Sequence, residues 1–163
     1  MTGRATPTDD GHHVVVDGRR WRATDPGIPE KLRAELVAEL MTARRMVSQG
    51  HPDGRPRVQD AKVALGERGH PWWEPSPDGH AARLRATFLA VLRHRDGTSL
   101  CPSDAARVVG AEAWRSVVGA ARDVAWQLAD EGLVEVHQKG RPIVRAGSRG
   151  PVRIVRGPRF PAP

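Results

Sequence analysis

The chain has one cysteine, Cys101. A single thiol closes no internal disulfide and furnishes no zinc ribbon, which suits a reducing compartment. No apolar run reaches the length of a membrane span, and the first residues lack the apolar core of a secretory signal. The expectation is therefore a cytoplasmic protein. There is no glycine-rich phosphate loop, no nucleophile elbow, and no cluster of carboxylates at catalytic spacing. Nothing argues for an enzyme, and no cofactor is implied. Seven histidines invite a metal reading. His12 and His13 are adjacent, so on a strand they face opposite ways. His51, His70 and His80 stand beside proline or glycine, and no pair has the helical spacing of a zinc site. No metal site is expected. Cys101 precedes Pro102 at a strand–helix junction and reads as a packed side chain rather than a nucleophile.

One further absence is local. From Lys139 to Pro163 there is no acidic residue, while Lys139, Arg141, Arg145, Arg149, Arg153, Arg156 and Arg159 are basic. Those seven charges equal the formal net charge of +7, so the remainder of the chain is neutral. A sequence pI near 11.0 favours polyanions or acidic surfaces as partners. With 163 residues and 39% hydrophobic content there is room for one ordinary domain or two very small ones.

Along the chain, residues 1–11 are polar and read as a disordered tail. His12 to Thr24 reads as a hairpin, with Val14, Val15 and Val16 ahead of an Asp17-Gly18 turn. Pro29 and Glu30 open a helix with Leu32, Leu36, Val37, Leu40, Met41, Arg44 and Val47 along its apolar stripe. A loop, His51 to Pro56, leads to a shorter helix through Val58, Ala61, Lys62 and Leu65. These elements make a first region, residues 12–74, and residues 75–81 form a proline-rich joint.

A second region, residues 82–157, follows, with a tail over 158–163. Its first helix carries Leu84, Phe88, Val91 and Leu92. A very short strand over Thr98 to Cys101 precedes a second helix capped by Ser103. A long third helix is expected from Glu112 to Asp130, stopped by Gly132. The alternation in Leu133 to Gln138 and in Pro151 to Val155 predicts two antiparallel strands joined by the basic loop. The fold class is α+β and mainly helical, with a C-terminal winged helix-turn-helix after a β-hairpin and two helices. No repeat of fixed period is present.

The blocks CPSDAARVVG, WRSVV, LADEGLVEVHQKGRP and SRGPVRIV resemble a bacterial family known as domain of unknown function 3253. The resemblance spans roughly residues 82 to 157 and is carried most specifically by Cys101-Pro102-Ser103, Trp114-Arg115 and Gln138 to Pro142. It implies a winged helix without an assigned activity. The sequence departs from that pattern at Ile143 to Ala146, where Arg145 adds a charge to the loop.

Basic residues with interspersed glycines suit phosphate contact, and Lys139, Arg141, Arg145 and Arg149 occupy the expected loop. A loop that served solubility alone would not need the excess confined to one segment. Arg115, Ser116 and Arg122 lie on the exposed side of the expected third helix. Arg115 and Arg122 stand seven apart, on one face, where a major groove would meet them. Trp72 and Trp73 are expected to pack between the two regions rather than to stack bases. The leading reading is a regulator that binds nucleic acid, double-stranded DNA over RNA. An adaptor holding an acidic protein on the same surface is the alternative. An enzyme accessory subunit is a third.

Overall fold

The computed structural model describes residues 3–146 and 148–161. The chain opens with three short antiparallel strands, β1 (Thr6–Pro7), β2 (His13–Val16) and β3 (Arg19–Arg22), in the order β1-β2-β3. Asp17 and Gly18, with φ of 52° and 76°, make the two-residue turn between β2 and β3. Both residues with positive φ are what a turn matching the strand twist requires. β1 corrects the disordered tail expected over residues 1–11: Thr6 and Pro7 pair with Val15 and Val14 and give β2 a partner on each edge. Met1 and Thr2 lie outside the described residues.

Five α-helices follow among the described residues. α1 (Glu30–Ser48) and α2 (Gly54–Ala64) form an antiparallel pair, α3 (Pro77–His94) lies against both, and α4 (Pro102–Gly110) and α5 (Val118–Asp130) pack on its other side. α1 buries Leu32, Leu36, Leu40 and Ala43, at the spacing that keeps one helical face toward the core. The expected stripe was too wide: Val37, Met41 and Val47 are 40%, 42% and 37% exposed. The core side instead takes Glu39, 1% exposed, whose carboxylate receives Nε and Nη2 of Arg57 at 2.7 Å each. α2 begins at Gly54, inside the expected loop, and a Cβ at that position would meet the Val47 backbone nitrogen at 2.7 Å, so glycine is required there. The α1–α2 crossing is that close.

α3 starts inside the proline-rich joint, at Pro77. Ser76 caps it, its Oγ accepting the Gly79 N–H at 3.0 Å, with Pro77 in the first turn. Leu84, Phe88, Ala90, Val91 and Leu92 are fully buried, so α3 is apolar nearly all round and central. One hydrophobic cluster runs from Ile28 and Leu32, through α3, to Val152 and Ile154. The first and second regions share that core.

The expected third helix is two elements. Residues Ala111–Ser116 form a 3-10 turn, and α5 begins only at Val118. The break has a local cause. Ala111 sits at φ 49°, just after Gly110, and Trp114 folds in half-buried against that turn. The tighter turn keeps the indole on the core. Ser103 does not cap α4; Cys101 holds that position because Pro102 occupies the first turn, and the Ser103 hydroxyl donates to Cys101 Sγ at 2.9 Å.

The last sheet contains β4 (Val134–Gln138), β5 (Arg141–Pro142) and β6 (Arg153–Arg156) in the order β5-β4-β6. Val134 opposes Arg156 and Val136 opposes Ile154, the antiparallel pairing that the alternation predicted. Leu100 bridges the free side of β6 through both backbone bonds to Ile154. Within the expected tail 158–163, Arg159 N–H donates to Gly132 O at 2.9 Å, and Phe160 packs on the core. Ala162 and Pro163 lie outside the described residues.

Ion pairs join the two regions alongside that shared core. Arg83 of α3 is buried and places Nη1 2.8 Å from Asp25 Oδ2, Nε 3.0 Å from Ala64 O and Nη2 3.1 Å from Val108 O. Asp25 Oδ1 in turn accepts the Gly27 N–H at 2.8 Å. Burial pulls the Arg83 guanidinium below its ordinary range, and the charge of Asp25 opposes that pull. Arg95 grips Glu35 at 2.6 and 2.9 Å, and Arg93 meets Asp60 at 2.6 Å. Trp72 and Trp73 are half-buried. Trp72 donates Nε1–H to Ala23 O at 3.0 Å and lines a small recess with His80, Arg83 and Val109, so it borders both regions. Trp73 stacks on His12 at 4.1 Å between ring centroids, and His13 meets its edge at 5.5 Å. His12 precedes β2, so the strand rule that would separate the two histidines does not apply to it.

Candidate nucleic-acid interface

β4 and β5 are joined by Lys139 and Gly140, with φ of 51° and 76°, another two-residue turn of the twisted-hairpin type. The turn carries Lys139 and Arg141 out into solvent at its tip. Ile143 N–H continues the ladder to Val136 O at 2.9 Å, and its half-buried side chain holds the outgoing limb on the core. Beyond it Val144, Arg145 and Ala146 are exposed. Gly147, one of the loop glycines read as aiding phosphate approach, lies outside the described residues. The returning limb is fastened by Gln138, whose Nε2 donates to the carbonyls of Arg149 and Pro151.

The loop also touches α5. Arg122 donates Nη1–H to Gly150 O at 3.1 Å, and Arg145 Nη2 lies 3.4 Å from Asp123 Oδ1. Arg122, Arg145, Arg149 and Gly150 therefore gather where α5 meets the returning limb, with Lys139 and Arg141 at the hairpin tip. Among the described residues, Lys139, Arg141 and Arg149 form no ion pair with a carboxylate.

Arg115 and Ser116 are not on α5. Both belong to the 3-10 turn, and the Ser116 hydroxyl is spent locally on Ala113 O at 2.7 Å. The seven-residue spacing that would align Arg115 with Arg122 needs a continuous helix, and Ala111–Ser116 interrupts it. Arg115 instead lies 4.6 Å from the Trp114 ring centre, with Arg107 of α4 at 4.3 Å. Sequence reasoning missed Arg107. Its only signal was its place in the last turn of α4, which does not reveal that Trp114 brings it to Arg115.

Two of the seven C-terminal basic residues use their guanidinium groups to hold the fold together. Arg153 donates to Ser99 Oγ at 2.8 Å and to Ser99 O at 3.2 Å. Arg156 covers the end of α3: Nε and Nη2 reach Leu92 O at 2.9 and 2.6 Å, Nη2 reaches Arg93 O at 3.0 Å, and Nη1 pairs with Asp96. Cations there complement the negative end of the helix dipole. Arg159 lies over Gly132, its Cδ 3.0 Å from where a Cβ would stand.

Among the described residues, no group of three or more His, Cys, Asp or Glu side chains is arranged to hold a metal ion, and no helix is long and apolar enough to cross a membrane. No curated protein matches the chain. Residues 81–157, from the first turns of α3 to the residue after β6, match the model of the family described as Protein of unknown function (DUF3253).

Proposed function

We propose that α3 to β6 form a winged helix that binds nucleic acid, duplex DNA in preference to RNA, as a regulator would. The element order supports this reading: helix, bridge residue Leu100, helix, tight turn, helix, then the β4–β5 hairpin, a basic loop and the return strand β6. The observation that carries it is the loop itself. Lys139, Arg141 and Arg149 are exposed, without carboxylate partners among the described residues, and the limb bearing Arg149 is tied to the helix that would face a groove.

Phosphate contact dominates in this reading. The exposed side chains at the start of α5 are Gly119, Ala120 and Asp123, none of which supplies a donor fork to a base edge. Arg122 is held by Gly150 O, and Arg115 stands outside the helix. Binding should therefore depend steeply on salt and weakly on sequence.

Fluorescence anisotropy with random-sequence duplexes, duplex RNA and a set of defined sites, from low to moderate salt, tests this. Alanine at Lys139, Arg141 and Arg149 together should flatten the slope of log affinity against log salt by up to about 2.7, three phosphates at roughly 0.9 each. Affinities across sequences should fall alike. Absence of binding at low salt overturns the reading and turns the loop into a dock for an acidic protein. Discrimination of more than about 3 kcal/mol between defined sites overturns the phosphate-dominated form of it.

A further inference from the structure

The first region carries a second surface that the nucleic-acid reading does not use. Five large apolar side chains are exposed among the described residues, and three of them, Val37, Met41 and Val47, lie on α1. Val37, Met41 and Arg44 follow at i, i+4 and i+7, one line along the helix. That line runs into a groove between the end of α1 and the start of α2. Its floor is Val47, Pro56 and Val58, and its rim is Arg44, Arg55 and Arg68.

The rim arginines differ from those that tie the helices together. Arg57, Arg83, Arg93, Arg95 and Arg156 all engage carboxylates. Among the described residues, Arg44 and Arg55 form no ion pair, and Arg68 donates only to the neutral Gln59 Oε1, at 2.9 Å. Glu67 lies within electrostatic reach of Arg44, Arg68 and Lys62 but forms no ion pair with them. Burial holds its carboxyl above its ordinary range, and the nearby cations oppose that shift. Guanidinium forks around an apolar floor suit carboxylates carried on a chain that also has apolar side chains. A phosphodiester backbone would use the rim and leave the floor uncovered.

We infer that the α1–α2 groove docks an acidic amphipathic segment of another protein, laid along α1 with its apolar side chains on Met41, Val47 and Val58 and its carboxylates on Arg44, Arg55 and Arg68. This is the helix-in-groove mode of peptide recognition, with charge fixing the orientation. It stands independently of the basic loop.

The test is a ¹⁵N chemical-shift titration of the full chain with two short helical peptides. One carries leucines along one face and glutamates beside them; the other keeps the glutamates and replaces the leucines with serine. A duplex DNA is the third ligand. The leucine–glutamate peptide should shift Met41, Val47, Arg55 and Val58. Met41→Asp and Arg55→Glu, both at exposed positions, should each weaken it by about tenfold. Alanine at Lys139, Arg141 and Arg149 should leave peptide binding unchanged. Equal binding by the serine peptide reduces the groove to a charged surface and overturns the inference. So does a duplex that shifts these residues more strongly than the peptide, or no shift in α1 and α2 at saturating peptide.

Discussion

The arginines at the joint and the arginines of the loop have the same side chain and opposite uses. At the joint, Arg83, Arg93 and Arg95 are withdrawn from water and matched to Asp25, Asp60 and Glu35. Around the loop, Lys139, Arg141 and Arg149 stay in water, without a carboxylate partner among the described residues. Burial obliges a charge to find its partner inside the chain, because an unpaired charge in the core is costly. Exposure removes that obligation and leaves the charge available to a partner outside. A neutral region can therefore be rich in paired charge, and a basic region can owe part of its excess to scaffolding, as Arg153 and Arg156 do here.

The sharpest way to break this contrast is at Arg83. Arg83→Met leaves Asp25 buried without its counter-charge and should cost about 3–5 kcal/mol in urea unfolding. The loop triple alanine variant should stay within about 0.5 kcal/mol of the parent in the same assay, while losing affinity for DNA. If Arg83→Met unfolds at the parent's midpoint, the joint is not held by this pair.

The tryptophans give the next effect. Trp72→Ala removes a hydrogen bond to Ala23 and the wall of the recess beside Arg83, and should cost about 2–3 kcal/mol, below the range for fully buried aromatic side chains. Trp73→Ala loses the stack on His12 and should cost about 1 kcal/mol. Equal losses from the two would contradict the difference in their surroundings.

A smaller effect is expected with pH. The Arg95 guanidinium, bonded to Glu35, holds that carboxyl below its ordinary value of 4.5. A depressed folded value means the unfolded chain binds the proton more readily. The stabilisation is present above about pH 4.5 and is lost as pH falls through the folded value. Glu35→Gln should flatten that part of the stability profile and leave the neutral region parallel to the parent. The smallest effect tests the loop side. Asp123→Asn frees Arg145 and should tighten duplex binding by no more than about threefold, as befits an exposed pair.

Much of this fold is legible in local pattern. The alternation around Val136 and Ile154 sets the register of β4 and β6, while Asp17-Gly18 marks the β2–β3 turn and Gly132 the end of α5, because only certain residues accept positive φ. The joint is not legible, since its pairs link residues as far apart as Glu35 and Arg95, and no local rule connects them. The third helix misled for a different reason. From Glu112 onward its apolar spacing fits a helix, but the conformation of Ala111 and the inward turn of Trp114 depend on the packed core. In the candidate interface the loop was readable from composition alone. The roles of Arg115, Arg153, Arg156 and Arg159 required knowing which carbonyls, rings and backbone groups stood nearby.

Lys139 holds the tip of the hairpin in a left-handed backbone conformation, at φ 51°. Asparagine or glycine accepts that geometry more readily, and a long side chain with a Cβ there stores roughly 1 kcal/mol of strain. Stability and charge are thus in competition at a single residue. Lys139→Asn should firm up the hairpin and remove its outermost cation. Selection for thermal resistance alone would drive position 139 toward asparagine, whereas selection for capture of a polyanion would keep it lysine.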